Sequence, residues 1–353
     1  MVLVHSDLST AEQIESLQQS RGKEKTPWRL FHLKMACADV IWKLCIQPKA
    51  VREDETSLMH EIAVIRPKET AKIGSNKPGF HRMHEVIQHR VKVKQIYGYP
   101  SLEKWAKMKP MTKYSVGHTF TRLRLQPQTA HDQQQENTLL RQRYYLLYEE
   151  ITYAMNAGDI GRVKQCFLPW ILIFKGCGKH KYTTHMLRFL HNLHYVYPPK
   201  LKRAICMNIL CNLMGKPDGF QEVDWWLEHN NFYTKQVYGG QFSNCTKCRI
   251  LKESVLIQVY KRIWINFENM FMLHKYGYKH LKANMVLTFK KLVKHIEKKR
   301  THEFVRGRTA AYVIPDAMDI GLQKLISAES VAINVDEENI AEKVDGDDGN
   351  LDV

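Results

Sequence analysis

Long apolar runs are missing from this sequence. The longest, Cys166–Phe174, is interrupted by Pro169 and stopped by Lys175, far short of the ~20 residues that a membrane span needs. It is read as core, and no membrane partner is expected. A secretory leader is missing as well, since the apolar stretch Met1–Val4 meets His5 and Asp7 at once, so the chain is expected inside the cell, in nucleus or cytoplasm. No internal repeat is visible, which sets aside solenoids and propellers. Cysteine is present but unarranged: positions 37, 45, 166, 177, 206, 211, 245 and 248 are scattered, mostly within apolar helical patterns, as buried free thiols are. That excludes a disulfide scaffold. Cys245-x-x-Cys248 has metal-ligand spacing, but Cys206 and Cys211 make a poor second pair, and zinc is not expected.

Acidic residues are the third shortage. The 353 residues carry a formal net charge of +17, although residues 335–353 hold eight acids against the single base Lys343. Taking away the −7 of this tail leaves +24 on residues 1–334. A body this basic attracts polyanions, of which phosphate backbones are the commonest, while a merely solvated basic surface is the plainer alternative. The acidic tail is expected to be disordered and able to shield the basic body in cis.

What is present is mostly helical periodicity. Met1–His5 is predicted to be a short strand, with Asp7 in a strand-to-helix turn. Ser9-x-x-Glu12 is a capping-box pattern, and Gly22 is placed to end the helix it starts. Thr26-Pro27 is a second start signal, and residues 27–46 suit either one helix or a strand Leu30–Met35 followed by a helix. The proline-bearing residues 47–79 and the polar residues 108–135 are predicted to be connections. Further helices are expected over Phe80–Gln95, Glu136–Asn156, 160–175, 181–195, 199–213, 221–238, 247–273 and 280–299.

Three constellations carry possible chemistry. His81-x-x-His84 and His191-x-x-His194 each place two rings on one helical face, without the flanking acid of a zinc-protease pattern, and are expected to be surface histidines. Asp224, Glu228, Asn231 and Lys235 share one helical stripe, which is either a solvated face or a carboxylate presented to metal or phosphate. Residues 275–308 hold eleven Lys or Arg against two acids, with Tyr276, Tyr278, Phe289 and Phe304 interleaved. Cations for phosphates and rings for bases suit a nucleic-acid surface, with Lys290, Lys291, Lys294, Lys298, Lys299, Arg300, Arg306 and Arg308 as its contacts. An amphipathic helix with a basic outer face is the compatible plain reading.

Several stretches resemble a known family. They are Phe31-His-Leu-Lys-Met-Ala-Cys-Ala-Asp-Val-Ile-Trp42, Gly79-Phe-His-Arg-Met-His-Glu-Val-Ile-Gln-His89, Tyr144–Asn156 with Gly158–Gly161, Gly178-Lys-His-Lys-Tyr182, Val223-Asp-Trp-Trp-Leu-Glu-His-Asn-Asn231 and Tyr312-Val-Ile-Pro-Asp316. Together they are similar to the fungal domain-of-unknown-function family 6589, chiefly from mushroom-forming fungi, over roughly residues 1–325. Members resemble remnants of mobile elements, and the arrangement is similar to transposases with a ribonuclease-H-like core. That resemblance implies two Mg²⁺ ions held by carboxylates for phosphoryl transfer. It makes Asp7 the second acid, places His32 near the site, and gives Glu228, preferred over Glu150, as the third. Ser6 and Ser9 depart from the family's usual turn, and the first acid would precede residue 1, so no complete catalytic site is expected.

The expected fold is therefore mainly α: a large helical body with a short N-terminal strand-turn-helix, the possible remnant of a ribonuclease-H-like α/β core. The expected divisions are 1–46, 47–325 and an acidic tail 326–353. The expected function is a mobile-element-derived protein that binds DNA or RNA. A helical interaction protein with an acidic protein partner and a Mg-dependent nuclease are the alternatives.

Overall fold

The computed structural model describes residues 30–96, 127–228, 256–271 and 285–330, apart from 76, 214 and 302, together with the single positions 125, 248 and 252. The expected strand Met1–His5, the helix started by Ser9, and Asp7 lie outside these residues. In chain order the described helices are α1 (Leu30–Cys45), α2 (Leu58–Ile65), α3 (Thr70–Ser75), α4 (Phe80–Ile96), α5 (Gln133–Asn156), α6 (Ile160–Gly176), α7 (His180–His191), α8 (Pro199–Asn208), α9 (Ile257–Phe271), α10 (Val286–Lys299) and α11 (Ala317–Ser330). Two short strands, β1 (Leu210–Cys211) and β2 (Gln221–Glu222), pair antiparallel between α8 and α9. The protein is mainly α, as expected.

Two compact units divide the chain: one holds Met1–His32 and Arg203–Asn284, the other Leu33–Lys202 and Met285–Val353.

The open choice between strand and helix from Leu30 onward resolves to helix over Leu30–Cys45, and α1 is buried on nearly all sides: Leu33, Cys37, Val40, Ile41 and Leu44 are joined by Ala36, Ala38 and Trp42. Residues 47–79 correct the expectation of a plain connection. They contain a 3-10 turn Lys49–Arg52, then α2 and α3. Pro48, Pro67 and Pro78 bracket these helices without interrupting them. α2 buries Leu58, Ile62 and Ile65 together with Glu61, whose carboxylate accepts from Arg90 Nε of α4 at 2.7 Å and Arg141 Nη2 of α5 at 3.3 Å. All three side chains of this triad are about 5% exposed or less. Such a cluster costs desolvation but ties three helices to one geometry.

The helix expected over Glu136–Asn156 is α5, and Leu140, Tyr144, Leu147, Tyr148, Ile151 and Met155 along it are all inside. Gly158, in the left-handed region at φ 73°, turns the chain after its end. α6 contains the apolar run around Pro169, with Cys166, Phe167, Trp170, Ile171, Ile173 and Phe174 buried. No helix among the described residues is long and apolar enough to cross a membrane.

The helix α11 was not expected. It crosses α6 at backbone contact, where a methyl on Gly321 would run into the Leu172 carbonyl and one on Gly176 into Ala317. Between α10 and α11, residues 303–316 form a strap laid along α5. Gln133 N–H donates to Arg308 C=O (2.8 Å), Asn137 Nδ2 to Tyr312 C=O (2.6 Å), Ile314 N–H to Asn137 Oδ1 (2.8 Å) and Ala317 N–H to Tyr144 Oη (3.0 Å). Irregular backbone against a helix is stable only when its polar groups find such partners.

In the smaller unit, the segment expected as helix 199–213 stops at Asn208 and passes into β1, and residues 221–222 are strand before residues 223–228 turn helical. The remainder of the expected 221–238 helix lies outside the described residues.

Candidate functional site

The basic helix α10 is positioned by its apolar side. Phe289, Leu292 and Ile296, at spacings of three and four, are buried with Ile65 of α2, and Val64, Met285 and Val293 pack at the edge. His89 of α4 meets the Phe289 ring edge-on at 5.7 Å. This docking turns Lys290, Lys291, Lys294 and Lys298 to solvent, where they form no ion pair among the described residues. Arg306 is likewise exposed.

The other three predicted contacts are engaged within the fold. Lys299 pairs with Glu55 and pulls that carboxyl below its usual range by hydrogen bond and charge. Arg300 closes α10 in the left-handed conformation (φ 50°) and holds Glu303 at 2.5 Å. Arg308 is a structural clamp: its Nε and Nη2 donate to Asp132 Oδ1 (2.8 Å) and Oδ2 (2.7 Å), and its Nη1 to the Arg300 carbonyl (3.1 Å). Asp132, 1% exposed, also accepts the Val305 amide (2.7 Å) and caps α5 through the Gln135 amide (3.0 Å). Sequence reasoning missed Asp132, though Asp132-x-x-Gln135 is a helix-start pattern that marks it.

Of the nuclease-like set, Asp7 lies outside the described residues, and the stripe expected on residues 224–235 is changed at its first member. Asp224 is not part of a solvated stripe with Glu228. It is 2% exposed and takes both amides at the start of α1, Phe31 N–H at 2.9 Å and His32 N–H at 3.2 Å, as well as His32 Nδ1 at 3.1 Å. A carboxylate there complements the helix N-terminus. His32 therefore lies beside the Asp224 carboxylate. Glu228 sits half-buried one turn on, and Asn231 and Lys235 lie outside the described residues. Glu150 is bound to Arg162 at 2.7 Å. No group of three or more His, Cys, Asp or Glu able to hold a metal ion occurs among the described residues.

The histidine pairs separate in the same way. His84 Nδ1 bonds the buried Tyr148 hydroxyl at 2.8 Å, whereas His191 and His194 are exposed. Cys37, Cys45 and Cys166 are buried free thiols, with burial pushing Cys45 up to about 12; Cys177, half-buried, is pushed up to about 11. Cys248 is exposed, and Cys245 lies outside the described residues.

Fold and surface define a helical protein whose cationic helix is held by its own apolar face. The chain matches the profile of the family of unknown function DUF6589 over residues 1–280, and it belongs to that family. The match covers the Asp224–His32 contact and stops before α10. No curated protein and no solved structure matches the chain.

Proposed function

We propose that this member of the family is a nucleic-acid-binding protein of mobile-element descent in fungi, acting in nucleus or cytoplasm and lacking a complete catalytic centre. One observation carries the reading: the docking of Phe289, Leu292 and Ile296 holds Lys290, Lys291, Lys294 and Lys298 in solvent without ion-pair partners among the described residues. Spaced over little more than two turns of a fixed helix, four such cations can meet neighbouring phosphates, each releasing counterions.

The test is fluorescence anisotropy of labelled DNA and RNA against salt. The full chain should bind at 50 mM salt and weaken steeply toward 200 mM. Exchanging all four lysines for Ala should cut affinity by at least tenfold at low salt and reduce the salt slope by up to about four, near 0.9 for each lost phosphate contact. Absence of low-salt binding would sink the reading, and capture of an acidic protein instead would favour an interaction module. Mg-dependent cleavage abolished by Asp7→Asn would restore the nuclease reading.

A further inference from the structure

A second surface in the larger unit has a different chemistry from α10. From Ile160 to Pro217 the sequence contains no Asp or Glu over 58 residues, but ten Lys or Arg and four His. Within this stretch α7 is anchored from one side: Thr183, Met186 and Phe189 are buried, and Phe189 meets Phe167 of α6 at 5.9 Å. Its outer side shows Leu187, Arg188 and His191 to solvent.

The helix then widens. Residues Asn192–Val196 form a π turn, closed by Tyr197 N–H donating to Asn192 C=O at 2.7 Å. Pro198 and Pro199 follow, and the residue before a proline is pushed to extended backbone, as Tyr197 is at ψ 131°. The extra residue keeps Leu193 inside, at 1% exposure, while Tyr195 is thrown outward to 82%. Single π turns of this kind are frequent at functional positions. Here the turn gathers rings: Tyr195 lies 5.5 Å from His191 and 6.2 Å from His194. Lys200 is exposed just beyond.

A phenol ring so fully in water has no packing role, and its neighbours are rings and cations with no acid nearby in sequence. We infer that Tyr195, flanked by His191 and His194, is a stacking platform for the bases of single-stranded nucleic acid, with Arg188 and Lys200 meeting the phosphates. The inference rests on the nucleic-acid reading above and adds to it the preferred strand form. In a duplex the faces of the bases are covered by their neighbours, so only an unpaired base can lay a π-face on Tyr195. Phosphate contacts by α10 make no such distinction.

The experiment uses the full chain with a labelled 12-nucleotide oligothymidine and a 12-base-pair duplex at 50 mM salt. Tyr195→Ala should lower affinity for the single strand on the order of tenfold and leave the duplex unchanged. Tyr195→Phe, which keeps the stacking face, should restore the single-strand affinity. Because the side chain is exposed, the melting temperature of Tyr195→Ala should match the wild type. A 5-bromouracil oligonucleotide should photo-crosslink at Tyr195. Unchanged single-strand binding by Tyr195→Ala, with α10-dependent duplex binding intact, would overturn the stacking platform alone. Equal loss on both nucleic acids would overturn its strand preference. Failure of the wild type to bind either would overturn this inference together with the reading beneath it.

Discussion

Between residues 286 and 308 the cations of one basic run fall into two chemically different settings. Lys290, Lys291, Lys294 and Lys298 stand in water on α10, whereas Arg308 is drawn inward to the buried Asp132 carboxylate and two backbone carbonyls. The difference lies in side-chain geometry and in what waits nearby. A planar guanidinium can serve Asp132 with two donors and still reach carbonyls, while an ammonium on a flexible stem gains little from burial. The same charge count in the sequence therefore contains scaffold and candidate interface together.

The sharpest way to break this comparison is Asp132→Ala. It leaves the Arg308 charge largely enclosed without its partner and removes the cap of α5 and the acceptor of Val305. Losing one member of such a pair costs roughly 3–5 kcal/mol, so thermal melting should fall by on the order of 10 °C. Nucleic-acid affinity, measured well below the transition, should not change. The four-lysine variant should behave in reverse, keeping its melting temperature while losing affinity. If both variants lose stability and affinity alike, the two settings are one.

The far end of the strap offers a smaller effect. Gly321→Ala places a methyl against the Leu172 carbonyl, where only a shift of α6 or α11 makes room. Overpacking of this sort costs about 1–3 kcal/mol. Calorimetry should show the loss without any change in salt-dependent binding. A neutral result would mean that the crossing of α6 and α11 is looser than its geometry.

Much of the larger unit was legible in the sequence because its helices carry regular apolar faces: the helix expected over Glu136–Asn156 is there with its apolar residues inside, and α10 has the predicted amphipathic form. Three features were not legible, each for a physical reason. α2 is eight residues long and bracketed by prolines, so its periodicity is too brief to outweigh the turn signals around it. α11 carries Gly321, which argues against a helix until the helix it crosses is known. Asp224 has the spacing of a solvated stripe, and nothing local reveals that amides some 190 residues away in sequence will claim it. The idea of an Asp7 and Glu228 pair came from the family resemblance, with Glu228 chosen over Glu150 for its place on the polar stripe. The pair's one described member lies half-buried near an acid committed to a helix start.

The finest probe of the strap is pH. Tyr312 lies half-buried among strap residues, and burial, reinforced by the nearby Cys45 and Cys177 thiols, pushes its phenol up from 10 to about 12. The folded state thus holds the proton that the unfolded chain releases. Below pH 10 both states are protonated and the contribution to stability is complete; between 10 and 12 the unfolded chain ionises first, and stability falls as pH rises. Tyr312→Phe has no such proton to lose. The difference in melting temperature between wild type and Tyr312→Phe should therefore be flat up to pH 10 and then shift in favour of the variant, with titrations common to both chains cancelling. A difference that stays flat to pH 12 would mean that the phenol ionises as freely in the strap as in the open chain, and that this end of the strap is held by its backbone bonds to Asn137 and Tyr144 rather than by burial.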